Sequence, residues 1–172
     1  MVSQEFYSNF CDKIEESLKG TKNEYLTKNL FIGKICHKNT CSSCNQYFLK
    51  YEEFKNISLE VKEIETIYKS LDKYISSEDI EDYYYSFCNK KVTIKRNTLL
   101  TSLPNILVFH LNRIILDFET GDQVKITFRF EFPIDLNLKN YCLENYIKEG
   151  KNIYEKKDDY YKYVLRGVII HS

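Results

Sequence analysis

The chain has 172 residues, 43% hydrophobic and 15% aromatic, which is enough apolar mass for one domain with its own core. Lys plus Arg and Asp plus Glu stand at 25 each, so the formal net charge is zero, which argues against a general binder of phosphate backbones. No apolar run reaches the roughly 18 residues of a membrane span, and the charged opening "MVSQEFYSNF" is no secretory leader. With no leader, the six cysteines read as reduced thiols of cytoplasm or nucleus, some of them able to hold metal.

Phe6, Phe10, Ile14 and Leu18 recur at steps of four among Glu and Lys residues, which predicts an amphipathic helix over Ser3–Leu18 ending near Gly20. Cys11, beside that stripe, reads as a small buried apolar residue. "LFIGKIC" (30–36) reads as a short strand. Alternation of Tyr47, Leu49 and Tyr51, then of Ile57, Leu59 and Val61, predicts one long strand bent near "EEFKN". Ile64, Ile67, Tyr68, Leu71 and Tyr74 change to the helical period, giving a helix to about Ile75 that the polar "SSEDIED" ends.

Residues 91–100 alternate again, and "SLPN" makes a turn. The nearly continuous apolar run "ILVFHLNRIILDF" fits a strand buried on both faces. After the turn "ETGD", Val124, Ile126, Phe128, Phe130 and Phe132 alternate as a strand that Pro133 stops. "KEGKNIYEKKDD" has the composition of an exposed loop, and "YYKYVLRGVIIHS" is strand-like up to Ser172. The order predicts an α+β fold: a leading helix, then mostly antiparallel strands with one inserted helix.

"TCSSCNQ" contains a complete C-x-x-C, Cys41 and Cys44. "YYYSFCNKK" contains half of one, with Tyr85 where a partner of Cys88 would stand. A structural zinc ribbon closes four thiolate or imidazole ligands around the ion, and tyrosine must first lose its phenolic proton to serve. Cys36 or His37 could complete the set if the strand end curled back. The expectation is a metal-free finger with Tyr85 filling the ligand's space; no cofactor is required, and zinc on Cys41, Cys44 and Cys88 is the second reading.

These motifs, in their order, resemble the ubiquitin-specific proteases, papain-like cysteine proteases that cleave at the ubiquitin C-terminus. "LNRIILD" is similar to that family's "L-K-R-F-x-x-D", and "FRFEFPIDLNLKNY" to "F-x-F-P-x-x-L-x-L-x-x-Y". "YVLRGVIIHS" is similar to "Y-x-L-x-G-V-I-V-H-S-G". "QEFYSNFCDKIEESL" resembles the family helix that opens "D-A-x-E-F", with Val2 in place of the aspartate. The resemblance covers the whole chain, 1–172, as a single incomplete catalytic domain. It implies the end of the thumb at 1–20, zinc-ribbon-like fingers with an inserted helix at 30–100, and an antiparallel palm at 101–172.

The family's cysteine box "G-N-T-C-Y" and its histidine string "G-H-Y" do not occur in these residues. His171 matches the non-catalytic histidine of "V-H-S-G", His110 lies mid-strand, and Cys36 and Cys142 lack a setting that lowers a thiol pKa. No catalytic residue is assigned. The resulting expectation is a fragment of a cysteine-type deubiquitinase, inactive alone, that holds ubiquitin and ubiquitinated proteins. The fingers and the turn around 117–128 are the ubiquitin-facing parts, with neither nucleic acid nor membrane as partner. A non-catalytic ubiquitin-binding module is the alternative. A zinc-ribbon nucleic-acid binder using "KKVTIKR" comes third.

Overall fold

The computed structural model describes residues 3–146 and 156–170. In chain order the elements are α1 (Ser3–Leu18), α2 (Leu26–Phe31), β1 (Gly33–Cys41), β2 (Tyr47–Phe54), β3 (Ile57–Glu60) and α3 (Ile67–Ile75). There follow β4 (Glu78–Tyr85), β5 (Lys90–Ser102), β6 (Phe109–Asn112), β7 (Ile114–Leu116) and β8 (Gln123–Lys125). β9 (Asp135–Asn137), α4 (Leu143–Tyr146) and β10 (Lys162–Val164) complete the set. The fold is mixed α and β, as the sequence predicts.

The principal sheet has the order β2-β1-β5-β4, with every neighbouring pair antiparallel. Its inner end carries the main core, where Ile35, Cys36, Leu99 and Leu100 pack with Leu59 of β3, Leu71 of α3, and Leu138 and Tyr161. A second, smaller cluster of Cys41, Val92 and Ile94 sits at the far end, backed by Phe48, Ile80 and Tyr85. β3 and β6 pair in parallel, while β7–β8 and β9–β10 are antiparallel ribbons.

Several elements depart from the sequence expectation. Leu30 and Phe31 close α2, and the strand begins only at Gly33, where a Cβ would stand 2.3 Å from Phe54 Cζ and 2.8 Å from the Ser102 carbonyl. The long bent strand is two strands in different sheets: beyond Phe54 the chain leaves β1, and Ile57 N–H donates to Val108 O at 2.9 Å. The helix starts at Ile67, capped by Thr66 accepting from Lys69 N–H, while Ile64 lies in a turn. "SSEDIED" contributes most of β4, an edge strand whose Glu78 and Asp79 lie opposite Arg96 and Lys95.

The apolar run at 106–118 is half-buried and breaks at Arg113. The Arg113 guanidinium donates to the carbonyls of Ile126 (3.1 Å) and Phe128 (3.0 Å), satisfying groups that a longer β8 would have paired in a ladder. Only Gln123–Lys125 of the alternating segment is therefore strand, with Ile126 and Phe130 buried and Val124, Phe128 and Phe132 exposed. In α1 the apolar stripe is also split. Cys11 is buried as expected, whereas Phe6 and Phe10 stack on each other facing outward. Residues 165–170 carry no strand, and Ile169 is 91% exposed. Residues 147–155, most of the charged segment, and His171 lie outside the described residues.

Two outcomes follow for stability. Gly33→Ala destabilises the chain by about 1–3 kcal/mol in urea unfolding, because the new methyl group meets Phe54 and an immovable carbonyl. His110, half-buried in β6, is held below its ordinary 6.5 by loss of water. The unfolded chain therefore binds the extra proton more readily, so stability is full above 6.5 and falls as pH drops through that value. His110→Gln flattens this slope between pH 7 and 5 in unfolding curves taken against pH.

Candidate functional site

The far end of the principal sheet is built from two turns of the same design. Leaving β1, Cys41-Ser-Ser-Cys44 is followed by Asn45 with φ of 57°, and Asn45 N–H donates to Cys41 O at 2.9 Å. Between β4 and β5, Tyr85-Ser-Phe-Cys88 is followed by Asn89 with φ of 51°, and Cys88 N–H donates to Tyr85 O at 3.1 Å. Asparagine tolerates this left-handed conformation better than other side chains except glycine. Ser42 N–H donates to Thr93 O at 3.0 Å, tying the first turn to β5. The turns bring Cys41, Cys44 and Cys88 together, with all three sulfurs within 4.8 Å of one another and Cys41–Cys88 at 3.8 Å.

The electrostatics of the cluster are uneven. Burial pushes the Cys41 thiol up, but the backbone N–H groups of Cys44 and Ser43 and the neighbouring Cys44 and Cys88 thiols bring it below the usual cysteine value. Cys88 is pushed up to about 11, first by its hydrogen bond with Cys44, then by burial and by Cys41. Tyr85 is held above its ordinary value by loss of water and then by the Cys44, Cys41 and Cys88 thiols. Its ring stacks on Phe48 at a centroid distance of 5.7 Å and lies 6.1 Å from Phe87.

Zn–S bonds of about 2.3 Å place tetrahedral thiolates roughly 3.8 Å apart, a spacing the Cys41–Cys88 pair matches. The fourth corner does not fit. Tyr85 presents a phenol that its surroundings keep protonated, and a closed structural zinc site needs a fourth anionic or imidazole ligand. Cys36 belongs to the main core, and His37 is engaged elsewhere: Nδ1 lies 3.0 Å from Thr98 Oγ1 and Nε2 lies 3.5 Å from Glu52. Neither belongs to the thiol cluster. Sequence reasoning missed Phe48 and the two asparagines. The repeated "C-N" after each turn carries a signal for the latter.

No hydrogen bond among the described residues joins a thiol to an imidazole. Cys142 donates to Leu138 O, and burial pushes it up to about 12; burial also raises Cys36. Two of the four cations of the basic run pair with β4, Lys91 3.8 Å from Asp82 and Arg96 3.7 Å from Glu78. At the β7–β8 turn Phe118 is 92% exposed, its loop closed by Gly121 N–H donating to Asp117 O. No described helix is long and apolar enough to cross a membrane.

Comparison with known proteins gives a consistent result. The family model for ubiquitin carboxyl-terminal hydrolase matches residues 3–172. Mouse ubiquitin carboxyl-terminal hydrolase 24 is 30% identical over 189 residues, covering 98% of this chain and 7% of that protein. Ubiquitin carboxyl-terminal hydrolase 7 of Drosophila melanogaster is 31% identical over 171 residues, covering 98% of this chain and 14% of that protein. The chain thus spans a small part of the relatives it matches. A chain of the SAGA Ubp8/Sgf11/Sus1/Sgf73 DUB module bound to ubiquitin aldehyde superposes with a TM-score of 0.73 at 25% identity, covering 83% of this chain and 33% of that one. The monoubiquitin-bound module gives 0.75, also at 25% identity, with 83% and 34% covered.

Burial sets the order of thiol reactivity. In the native protein a disulfide-exchange reagent reaches Cys44 and Cys88, which are partly exposed, while Cys11, Cys36, Cys41 and Cys142 react only after denaturant is added. A colorimetric thiol count before and after denaturation, with the labelled peptides mapped, checks this.

Proposed function

Because the chain belongs to the ubiquitin carboxyl-terminal hydrolase family, matched over residues 3–172, we propose that it is part of a cysteine-type deubiquitinase and that this part holds ubiquitin. One observation carries the reading: its fold superposes over 83% of its length on a chain of a deubiquitinating module solved with ubiquitin aldehyde. On this reading residues 1–20 are the end of the thumb, 30–100 the fingers and 101–172 the palm. The β2-β1-β5-β4 sheet and the β7–β8 turn face the globular body of ubiquitin.

Hydrolysis needs a thiolate, an imidazole that takes its proton, and donors for the developing oxyanion. The described thiols are buried in the core or gathered in the paired turns, and none has an imidazole partner among the described residues. This supports a chain that supplies recognition without the nucleophile. The second reading, a non-catalytic ubiquitin-binding module, rests on the same observation and differs in whether flanking sequence supplies the chemistry. The acidic cover of β4 over the basic run supports a protein partner over a nucleic acid. Packing of Val92, Ile94, Phe48 and Ile80 at the far end supports fingers that require no metal. A cytoplasmic or nuclear location agrees with the free thiols.

Titration of the pure 172-residue chain with monoubiquitin, followed by calorimetry, gives saturable binding. Ubiquitin carrying a fluorogenic C-terminal amide is not hydrolysed above the blank. Phe118→Ala weakens binding by roughly 5- to 30-fold with unfolding unchanged, the range of a contact worth about 1–2 kcal/mol. Absence of binding sinks the recognition role, and measurable hydrolysis sinks the assignment of no catalytic residue.

A further inference from the structure

We propose that the paired turns form a binding site for one soft monovalent metal ion, copper(I) being the representative, held by Cys41, Cys44 and Cys88 with no fourth protein ligand. The inference rests on the thiol geometry and is independent of ubiquitin recognition. Three sulfurs already lie within 4.8 Å of one another, so a single ion reaches all of them with little movement of the backbone. Two of them leave turns locked by left-handed asparagines and cross-strand hydrogen bonds, so the cluster is formed before any ion arrives.

The corner opposite the three sulfurs decides which ion fits. Among the described residues no fourth cysteine, histidine or carboxylate joins the three sulfurs, and Tyr85, stacked on Phe48, packs beside their cluster. A divalent ion that requires four ligands finds no soft or anionic fourth donor there, whereas thiolates select copper(I), which is satisfied by three. Each thiol that ligates gives its proton to solvent, so uptake of one ion releases up to three protons from the three cysteines.

The test is an anaerobic titration of the reduced, full 172-residue chain with copper(I) against a chromogenic copper(I) chelator, in parallel with zinc(II) against a zinc chelator. One equivalent of copper(I) is taken up with the near-ultraviolet absorption of a thiolate complex. Cys88→Ser, which leaves two thiolates, loses the ion to the chelator at lower chelator concentration and reduces the thiolate absorption, while Cys142→Ser leaves both intact. Tyr85→Cys restores a fourth thiolate and tightens zinc by roughly 100-fold, the share of one ligand in a closed structural site. Copper uptake unchanged by Cys88→Ser overturns the proposal, as does zinc held equally by the native chain and Tyr85→Cys. Should Tyr85→Cys fail to fold, X-ray absorption of the copper-loaded native chain decides: three sulfurs around the ion support the site, and two sulfurs or added oxygen ligands overturn it.

Discussion

The pairing of β1 with β5 is the constraint on which the rest of the molecule depends. Beyond a bulge at Lys34 it runs in one register from Ile35 opposite Leu100 to Cys41 opposite Ile94, so one ladder joins the main core to the distant thiol cluster. Its register is fixed by apolar packing at both ends and by polar pairs between them. Asn39, 2% exposed, lies directly opposite Arg96 and accepts from its Nε at 3.0 Å, while its own amide donates to His37 O. His37 lies opposite Thr98 and shares a 3.0 Å hydrogen bond with it. A slip of one residue would break both pairs, expose Leu99 or Leu100, and turn Cys41 away from Cys88. The site and the core therefore stand or fall on one alignment.

Where local pattern and tertiary environment agree, the sequence is a good guide. The ends of α1, the body of α3, the course of β5 and the C-x-x-C turn could all be read from period, charge and spacing. The misses share a cause. β4 is charged on both faces because it is an edge strand whose partner β5 supplies the opposite charges, and no property of "SSEDIED" alone reveals that partner. Conversely, Val124 to Phe132 has the cleanest alternation in the chain but little ladder, because one arginine, Arg113, takes the carbonyls that a neighbouring strand would have used. Phe6 and Phe10 obey helical spacing yet face outward, since the helix seats itself through Cys11. At the site, cysteine spacing and the substitution at Tyr85 were legible; the Phe48 stack that gives that substitution its effect was not.

On the proposed reading, recognition is separate from chemistry. The β2-β1-β5-β4 sheet is organised by its own two clusters, and among the described residues neither uses a thiol–imidazole pair. The far cluster retains the shape of a paired-turn ribbon while aromatic packing takes over part of the work that a fourth ligand performs in closed metal sites. The strands on either side are held by hydrogen bonds and buried side chains that need no metal, so a substitution in the paired turns bears on the thiol cluster sooner than on the fold.

The parallel pair β3–β6 has a further consequence, for how the chain reaches this structure. Its partners, Ile57 with Phe109 and Leu59 with Leu111, are roughly fifty residues apart, and the chain between them includes α3, β4 and β5. Hairpins β1–β2 and β4–β5 close over short turns and can form within microseconds, whereas the β3–β6 contact has to wait until the intervening segment is compact. The two hairpins are thus placed to form early, and the long-range β1–β5 and β3–β6 pairings that join them to lock later. A chain emerging from the ribosome can close each turn on its own hairpin before the β1–β5 pairing brings the two turns together.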